Sequence, residues 1–181
     1  NVRALILAGD MPKNIEDAIC AAYREFSPGS AELPSVAARS SATAEDLPEA
    51  SFAGQLETYL NIQGEAALVE ACRKCFASLY TDRAISYRRN HGFSQTEIAV
   101  SVGVQKMVRS DKASSGVMFS IDTESGFPNV IVINGAWGLG ETVVQGQVEP
   151  DEFEVFKPLV NDEAFRPILR KKCGTKEHKL V

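Results

Sequence analysis

The chain has 181 residues, of which 44% are hydrophobic and 24% are charged, so it can bury a core and has the composition of a globular protein. Its 19 Lys and Arg against 24 Asp and Glu give a net charge of −5, which argues against a nucleic-acid or anionic-membrane surface. No apolar run approaches the roughly 20 residues of a membrane span, and the N-terminus has no secretion signal. We therefore expect a cytoplasmic protein with neither nucleic acid nor membrane as a partner.

The first predicted elements are a helix and two strands. Helical spacing of apolar residues predicts a helix over residues 14–26, with Asn14 as its N-cap and Gly29 just beyond its end. A short apolar run predicts a strand over residues 35–39, and alternation predicts a returning strand over residues 55–62. The residues between these two strands are expected to form a loop.

This loop has the chemistry of a phosphate-binding segment. Arg39 stands at its start, and a guanidinium binds phosphate oxygens two at a time. Gly54, near its end, permits a left-handed backbone or a close approach of phosphate. Three residues add hydroxyl donors: Ser40, Ser41 and Thr43. The alternative is that Arg39 is a surface arginine at a strand end. The acidic residues of the loop are expected to face solvent or to approach a metal; they are Glu45, Asp46 and Glu49.

The middle and the end of the chain predict helices followed by strands. A helix is predicted over residues 65–79, and Thr81 or Asp82 is expected to cap a second helix that ends at Gly92. Strands are then predicted at residues 98–108, 116–121, 130–133 and 153–156. This order favours the α+β class, with a mixed or antiparallel sheet and helices packed on one side.

Two further segments bear on a ligand. Gln105 and Met107 lie at the end of the predicted strand 98–108, where an amide, a thioether and backbone groups are suited to an adenine slot. An ordinary strand end is the alternative. The segment 135–141 has neither the third glycine of a dinucleotide fingerprint nor the Gly-Lys of a P-loop, so it predicts a tight turn before a helix at residues 142–144.

Several long segments together resemble the nucleotide-binding domain of the phosphoenolpyruvate-utilising dikinases. They are residues 38–55, 57–61, 77–88, 104–108, 114–127 and 137–141. The resemblance implies an ATP-grasp fold, in which ATP lies between two α+β lobes. We therefore expect a partial ATP-grasp domain over residues 1–181, with a helical, phosphate-loop part at about 1–97 and a β-rich part at about 98–181.

The resemblance also implies roles for individual residues. The phosphate-binding positions are Arg39, Gly54, Gln55, Thr58 and Arg83. The adenine-binding positions are Gln105 and Met107. Members of this family use ATP and Mg²⁺ to phosphorylate a histidine on a swivelling domain, which passes the phosphate to pyruvate and yields phosphoenolpyruvate, AMP and phosphate. The metal ligands are unknown, and neither histidine of this chain matches the phosphohistidine motif.

Parts of the family's machinery do not occur in this sequence. The Gly-Gly-Lys loop of the family would lie before Asn1, and its late metal-binding and arginine residues would lie after Val181. We therefore expect a fragment of the N-terminal domain, with part of an ATP site, no catalytic residue and no turnover of pyruvate on its own. Its expected partners are ATP and the swivelling domain, with homo-oligomers formed where a sheet edge is uncovered.

Two alternatives stay open at this point. A dikinase relative with another acceptor, such as a rifampicin phosphotransferase, shares the loop of Arg39 and the strand of Gln105. The segment 122–127 favours the members that act on pyruvate. The second alternative, from a different class, is a non-catalytic nucleotide-binding module.

Overall fold

The computed structural model describes residues 1–29, 32–43, 46–47, 50–51, 54, 56–95 and 98–181, with the backbone alone at 46–47 and 50–51. The chain divides into two compact units, Asn1–Met107 and Val108–Val181. Among the described residues, no helix has both the length and the apolar character needed to span a bilayer.

The described residues of the first unit include four α-helices. They are α1 (Val2–Ala8), α2 (Lys13–Arg24), α3 (Glu65–Ser78) and α4 (Asp82–Asn90). The prediction that Asn14 caps α2 is wrong, because Pro12 occupies the cap position and Asn14 lies inside the first turn. Proline suits a helix start because its φ is fixed near the helical value. The N–H that it lacks would have no acceptor within the helix at this position. The prediction for α4 is confirmed: the Thr81 hydroxyl accepts from the Ala84 N–H, and Gly92 has a φ of +71°.

The strands of the first unit form two antiparallel groups. They are β1 (Val36–Ala42), β2 (Asp46–Leu47), β3 (Ala50–Ser51), β4 (Thr58–Ile62) and β5 (Val100–Lys106). The main sheet has the order β4–β1–β5, while β2 and β3 pair as a short hairpin. A bulge shifts the β1–β4 register between Val36 and Ala38, and on β4 Asn61 takes a left-handed φ of 56°. At this point β4 has one residue more than β1, which is the defining feature of a β-bulge.

One face of this sheet is covered by helices. A single buried cluster joins α2, β1 and α3: Tyr23, Val36, Ala38, Leu68, Ala71, Cys72 and Cys75. Val102 and Val104 of β5 pack against it. The Tyr23 hydroxyl donates to the Pro34 carbonyl at 2.6 Å and accepts from the Gly64 N–H at 3.2 Å. The opposite face, which we call the open face, carries the alternate residues of β1 and β5.

The second unit is an antiparallel meander of four strands. They are β6 (Ser114–Phe119), β7 (Val130–Trp137), β8 (Asp151–Phe156) and β9 (Ile168–Lys172), in that order across the sheet. A short helix, α5 (Glu141–Val144), follows β7 after the turn at Gly138, whose φ is +81°. This confirms the predicted turn and helix. Gly116 lies where a Cβ would come within 1.9 Å of the Asn134 carbonyl oxygen, so only glycine fits there.

The predicted fold class is confirmed: the chain is α+β, its sheets are antiparallel, and helices cover one face of the first sheet. The division between the units falls after Met107, because β5 pairs along its whole length with β1. The last residues, 178–181, form no strand. Instead, the Leu180 carbonyl accepts from the Leu139 N–H at 2.9 Å.

Candidate functional site

Arg39 is exposed on the open face of the first sheet. It lies in β1, the middle strand. The residues on either side of it are less exposed: Ala38 is fully buried and Ser40 is half-buried. Strand alternation turns the side chain of Ala38 towards the helices and that of Arg39 away from them. Within the part of the chain that the structure describes, no hydrogen bond or ion pair involves the Arg39 guanidinium.

The sheet register brings two other predicted residues to the same face. Arg39 pairs with Thr58 on one side and with Gly103 on the other. Gln105 lies two residues further along β5, opposite Ala37. Residues paired across antiparallel strands project from the same face, with Cβ atoms roughly 4.5–5.5 Å apart. The structure thus places Arg39, Thr58 and Gln105 on one face, with Thr58 directly opposite Arg39 and Gln105 at the diagonal position, roughly 7–8 Å away.

Gly103 leaves room beside Arg39. A Cβ at this position would meet only the Arg39 carbonyl oxygen, at 3.8 Å. Gly103, the residue directly opposite Arg39 on β5, therefore places no side chain against the guanidinium. An exposed guanidinium beside a glycine of the neighbouring strand can donate two parallel hydrogen bonds to the oxygens of a phosphate or carboxylate.

The hydroxyl groups near Arg39 are used by the fold. Ser40 Oγ donates to the Glu57 carbonyl at 2.8 Å. Thr43 Oγ1 accepts from the Ala99 N–H at 3.2 Å and donates to the Ala99 carbonyl at 3.4 Å. These two hydroxyls tie neighbouring segments of the sheet together, so the structure assigns them a structural role instead of the predicted ligand contact.

The loop end at Gly54 is described only in part. Gly54 is exposed, has a φ of +71°, and would place a Cβ in open space. Of the two properties for which glycine was expected at this position, the structure shows the left-handed backbone; the predicted phosphate contact of Gly54 stays a prediction. Gln55 lies outside the described residues, as do Glu45 and Glu49, so their predicted roles stay predictions.

Met107 is half-buried just beyond β5. Its N–H donates to the Ser35 carbonyl at 2.9 Å, which extends the strand ladder past Lys106. A ligand edge at this position therefore has the Met107 carbonyl and thioether available, while the N–H is occupied by the protein.

Arg83 lies on α4, away from the middle of the open face. It lines a pocket of about 440 Å³ at the outer side of β4. We call this the edge pocket; its lining residues are Arg3, Leu7, Leu56, Glu57, Thr58, Tyr59, Lys74 and Arg83. Thr58 is thus the residue shared by the open face and the edge pocket. Sequence reasoning missed Arg3, Glu57 and Lys74, since no local pattern links them.

The second unit contains a larger cavity, of about 510 Å³, which the sequence did not predict. It lies against β6, β7 and β8 and is lined mainly by apolar and small side chains, among them Gly116, Met118, Trp137 and Phe153. Its polar residues include Asp151 and Lys176.

Two carboxylates near loops of the second unit, Asp151 and Glu141, have protein partners instead of a metal-ligand geometry. Asp151 accepts from Lys176 Nζ and, at 3.0 Å, from the Gly174 N–H. The hydrogen bond from Lys176 is the main reason why the pKa of Asp151 is lowered. Glu141 accepts from the Gln145 side chain at 2.8 Å. Within the described ranges, no group of three or more His, Cys, Asp or Glu residues is placed to hold a metal, and the metal ligands stay unassigned.

Comparison with known proteins identifies a family along the whole chain. Residues 1–181 match the family described as pyruvate phosphate dikinase, AMP/ATP-binding domain. The chain is 58% identical to a phosphoenolpyruvate synthase of Synechocystis sp. over 99% of its own length and 22% of the relative's. It is 54% identical to a phosphoenolpyruvate synthase of Helicobacter pylori and 55% identical to one of Escherichia coli, again over 99% of this chain and 22% of each relative. The chain therefore spans about a fifth of the length of these relatives.

Proposed function

Because the chain belongs to the family of pyruvate phosphate dikinase AMP/ATP-binding domains, we propose that residues 1–181 are the ATP-binding part of a phosphoenolpyruvate synthase, with an ATP-grasp fold. The names of the relatives at 54–58% identity support the synthase over a relative with another acceptor. In the complete enzyme, ATP, pyruvate and water would give phosphoenolpyruvate, AMP and phosphate. A histidine on a swivelling domain outside these 181 residues would carry the phosphate.

The single observation that carries the proposal is the open face around Arg39. In the described part of the chain, the exposed Arg39 guanidinium has no hydrogen-bond or ion-pair partner, and it lies in the middle strand between Thr58 on one side and Gly103 on the other. Phosphoryl transfer depends mainly on positioning and on charge neutralisation. A fixed strand holds Arg39 for both tasks, because neither neighbouring strand can move without breaking the ladder.

We assign the predicted residues to two ends of the nucleotide. The phosphate-binding residues are Arg39, Gly54, Gln55, Thr58 and Arg83. The adenine-binding residues are Gln105 and Met107. The side-chain amide of Gln105 is exposed on the same face as Arg39, and an amide offers both the donor and the acceptor that an adenine edge needs.

Mg²⁺ is proposed to accompany ATP. This ion keeps water ligands and binds through substrate phosphates together with one or two carboxylates. Since the described residues hold no cluster of metal-ligating side chains, no residue of this chain is assigned to the ion. The complete enzyme is proposed to be cytoplasmic.

Calorimetric titration of the 181-residue chain with ATP and Mg²⁺ tests this function. Replacing Arg39 with alanine is expected to cost about 1.5–3 kcal/mol of binding, roughly a ten- to hundredfold loss of affinity, because a charge-assisted bidentate contact disappears. Arg166→Ala is the matched control, since it removes the same charge from an exposed site in the second unit. Equal affinity of the wild-type and Arg39→Ala chains for ATP would overturn the assignment.

A further inference from the structure

The edge pocket begins where the open face ends. Thr58 pairs with Arg39 across the β1–β4 ladder and also lines the pocket. β4 is an edge strand of its sheet, so a ligand that crosses from Arg39 past Thr58 reaches this pocket next. Its volume of about 440 Å³ falls within the roughly 300–1,000 Å³ of ordinary ligand sites.

The charges of the pocket favour an anion. Three cationic side chains line it, Arg3 from α1, Lys74 from α3 and Arg83 from α4, against the single carboxylate of Glu57. The Tyr59 hydroxyl donates to Glu57 Oε2, and the nearest guanidinium nitrogen of Arg3 is 3.7 Å from Glu57 Oε1. Among the described residues, the contacts of Arg3 with Glu57 and of Lys74 with Glu70 are both long, at 3.7 Å, so these two cations remain able to bind an anion.

Arg3 also has a donor that no protein group satisfies. Its Nε is buried and has no hydrogen-bond partner. A buried donor without an acceptor costs roughly 1–3 kcal/mol. The Arg3 side chain as a whole is 40% exposed and lines the pocket, so its guanidinium can contact an anion there.

Lys74 is held in place at the opposite wall. Its Nζ lies 5.9 Å above the centre of the Tyr59 ring and 3.7 Å from Glu70 Oε1. The distance to Glu70 is longer than a hydrogen bond, so the ammonium keeps donors for a ligand while the ring and the carboxylate limit its motion.

We propose that the edge pocket is a polyphosphate subsite, in which Arg3 and Lys74 contact the terminal phosphates of ATP beyond Thr58. This inference rests on the proposed function and extends it by two residues to which neither the family motifs nor the sequence assigned a role. A free polyphosphate offers the same chemistry as the end of ATP, so the test separates these two sources.

The test compares three probes on the 181-residue chain: ATP, AMP and inorganic tripolyphosphate, each titrated calorimetrically. The variants are Arg3→Gln and Lys74→Gln, which keep much of each side chain's stem. Lys13→Gln is the matched control, because Lys13 is an exposed lysine on α2 that pairs with Glu16 and Asp17 away from the pocket. Arg3→Lys keeps the charge and is expected to recover part of the lost affinity. Thermal melting identifies any variant that fails to fold.

The subsite requires about a tenfold loss of affinity for ATP in each pocket variant, a similar loss for tripolyphosphate, and a change of less than about twofold for AMP. An unchanged affinity for ATP in folded Arg3→Gln and Lys74→Gln chains, beside a loss in Arg39→Ala, would overturn the subsite and leave the proposed function intact. Equal losses for AMP and ATP would also overturn it. If the wild-type chain binds tripolyphosphate but not ATP, the proposed function fails and the pocket is a site for free anions, which overturns its assignment to ATP.

Discussion

The two units of the molecule place their apolar side chains differently. In the first unit, seven buried residues of α2, β1 and α3 form one cluster beneath the sheet. In the second unit, all of which is described, the buried apolar residues are Val130, Ala136, Leu139 and Val148. Large apolar side chains there are exposed, including Met118 at 68% and Trp137 at 53%.

This difference separates two ways of stabilising a sheet. The first sheet buries one face against helices, and that burial supports a second face on which Arg39 stays charged and exposed. The second sheet depends more on its hydrogen-bond ladders and on cross-strand ion pairs, such as that of Arg170 with Glu152 and Glu154. Because exposed ion pairs contribute little stability, we expect the first unit to be the more stable one.

The largest effect is expected from the core of the first unit. Leu68→Ala removes a side chain that is 1% exposed, and such a change typically costs about 2–5 kcal/mol through lost transfer energy and a cavity. Leu169→Ala in β9, where the side chain is 60% exposed, should change stability by no more than about 0.5 kcal/mol. Urea unfolding followed by circular dichroism measures both. Similar effects of the two substitutions would break the contrast between the units.

A matched pair of glycines compares the two sheets directly. Gly116→Ala in β6 puts a Cβ 1.9 Å from the Asn134 carbonyl oxygen, so overpacking should cost about 1–3 kcal/mol. Gly103→Ala in β5 meets only one atom, at 3.8 Å, and should be neutral or stabilise by roughly 0.5 kcal/mol because alanine loses less backbone entropy. Thermal unfolding of both variants gives the comparison, and a destabilised Gly103→Ala chain would show that the open face is more crowded than the structure indicates.

A smaller difference is expected in the pH dependence of stability. Lys176 lowers the pKa of Asp151 in the second unit, so the stabilising contribution of Asp151 is present above its ordinary pKa of about 3.9 and is lost as the pH falls through the lower folded value. Burial raises the pKa of Cys75 in the first unit to about 12. Its contribution is complete below the ordinary thiol pKa of about 8.5 and is lost as the pH rises towards 12.

Urea unfolding across pH, with Asp151→Asn and Cys75→Ala, measures these two contributions. Asp151→Asn should reduce the loss of stability at acid pH, and Cys75→Ala should reduce the loss at alkaline pH. Neither variant should alter the opposite limb. If Asp151→Asn leaves the acid limb unchanged, the Lys176 contact does not stabilise the folded state.

The helices and strands with strong local patterns could be predicted from the sequence. The helix expected at residues 65–79 is observed at Glu65–Ser78, and the strand expected at residues 98–108 is observed at Val100–Lys106. Residues near in sequence determine these features, because a helix face and a strand face follow from periods of 3.6 and 2.0 residues. The motifs likewise predicted Arg39, Thr58 and Gln105 as nucleotide-binding residues, although a motif does not specify how distant residues are placed in space.

Other features depend on contacts between distant segments. The short helix α1 was missed, because seven residues are too few for a stable isolated helix and α1 gains its stability by packing against α3. The bulge at Asn61 ended the simple alternation of β4, since the pairing with β1 decides the register there.

The sequence by itself therefore determined the fold class, the family motifs and the arginine of the open face. Only the tertiary structure decided which hydroxyls the fold uses, and only it joined Arg3, Lys74 and Arg83 into one pocket. These three cations come from three different helices. A local pattern specifies where a side chain points along its own helix, but the packing of helices on a sheet specifies which side chains meet.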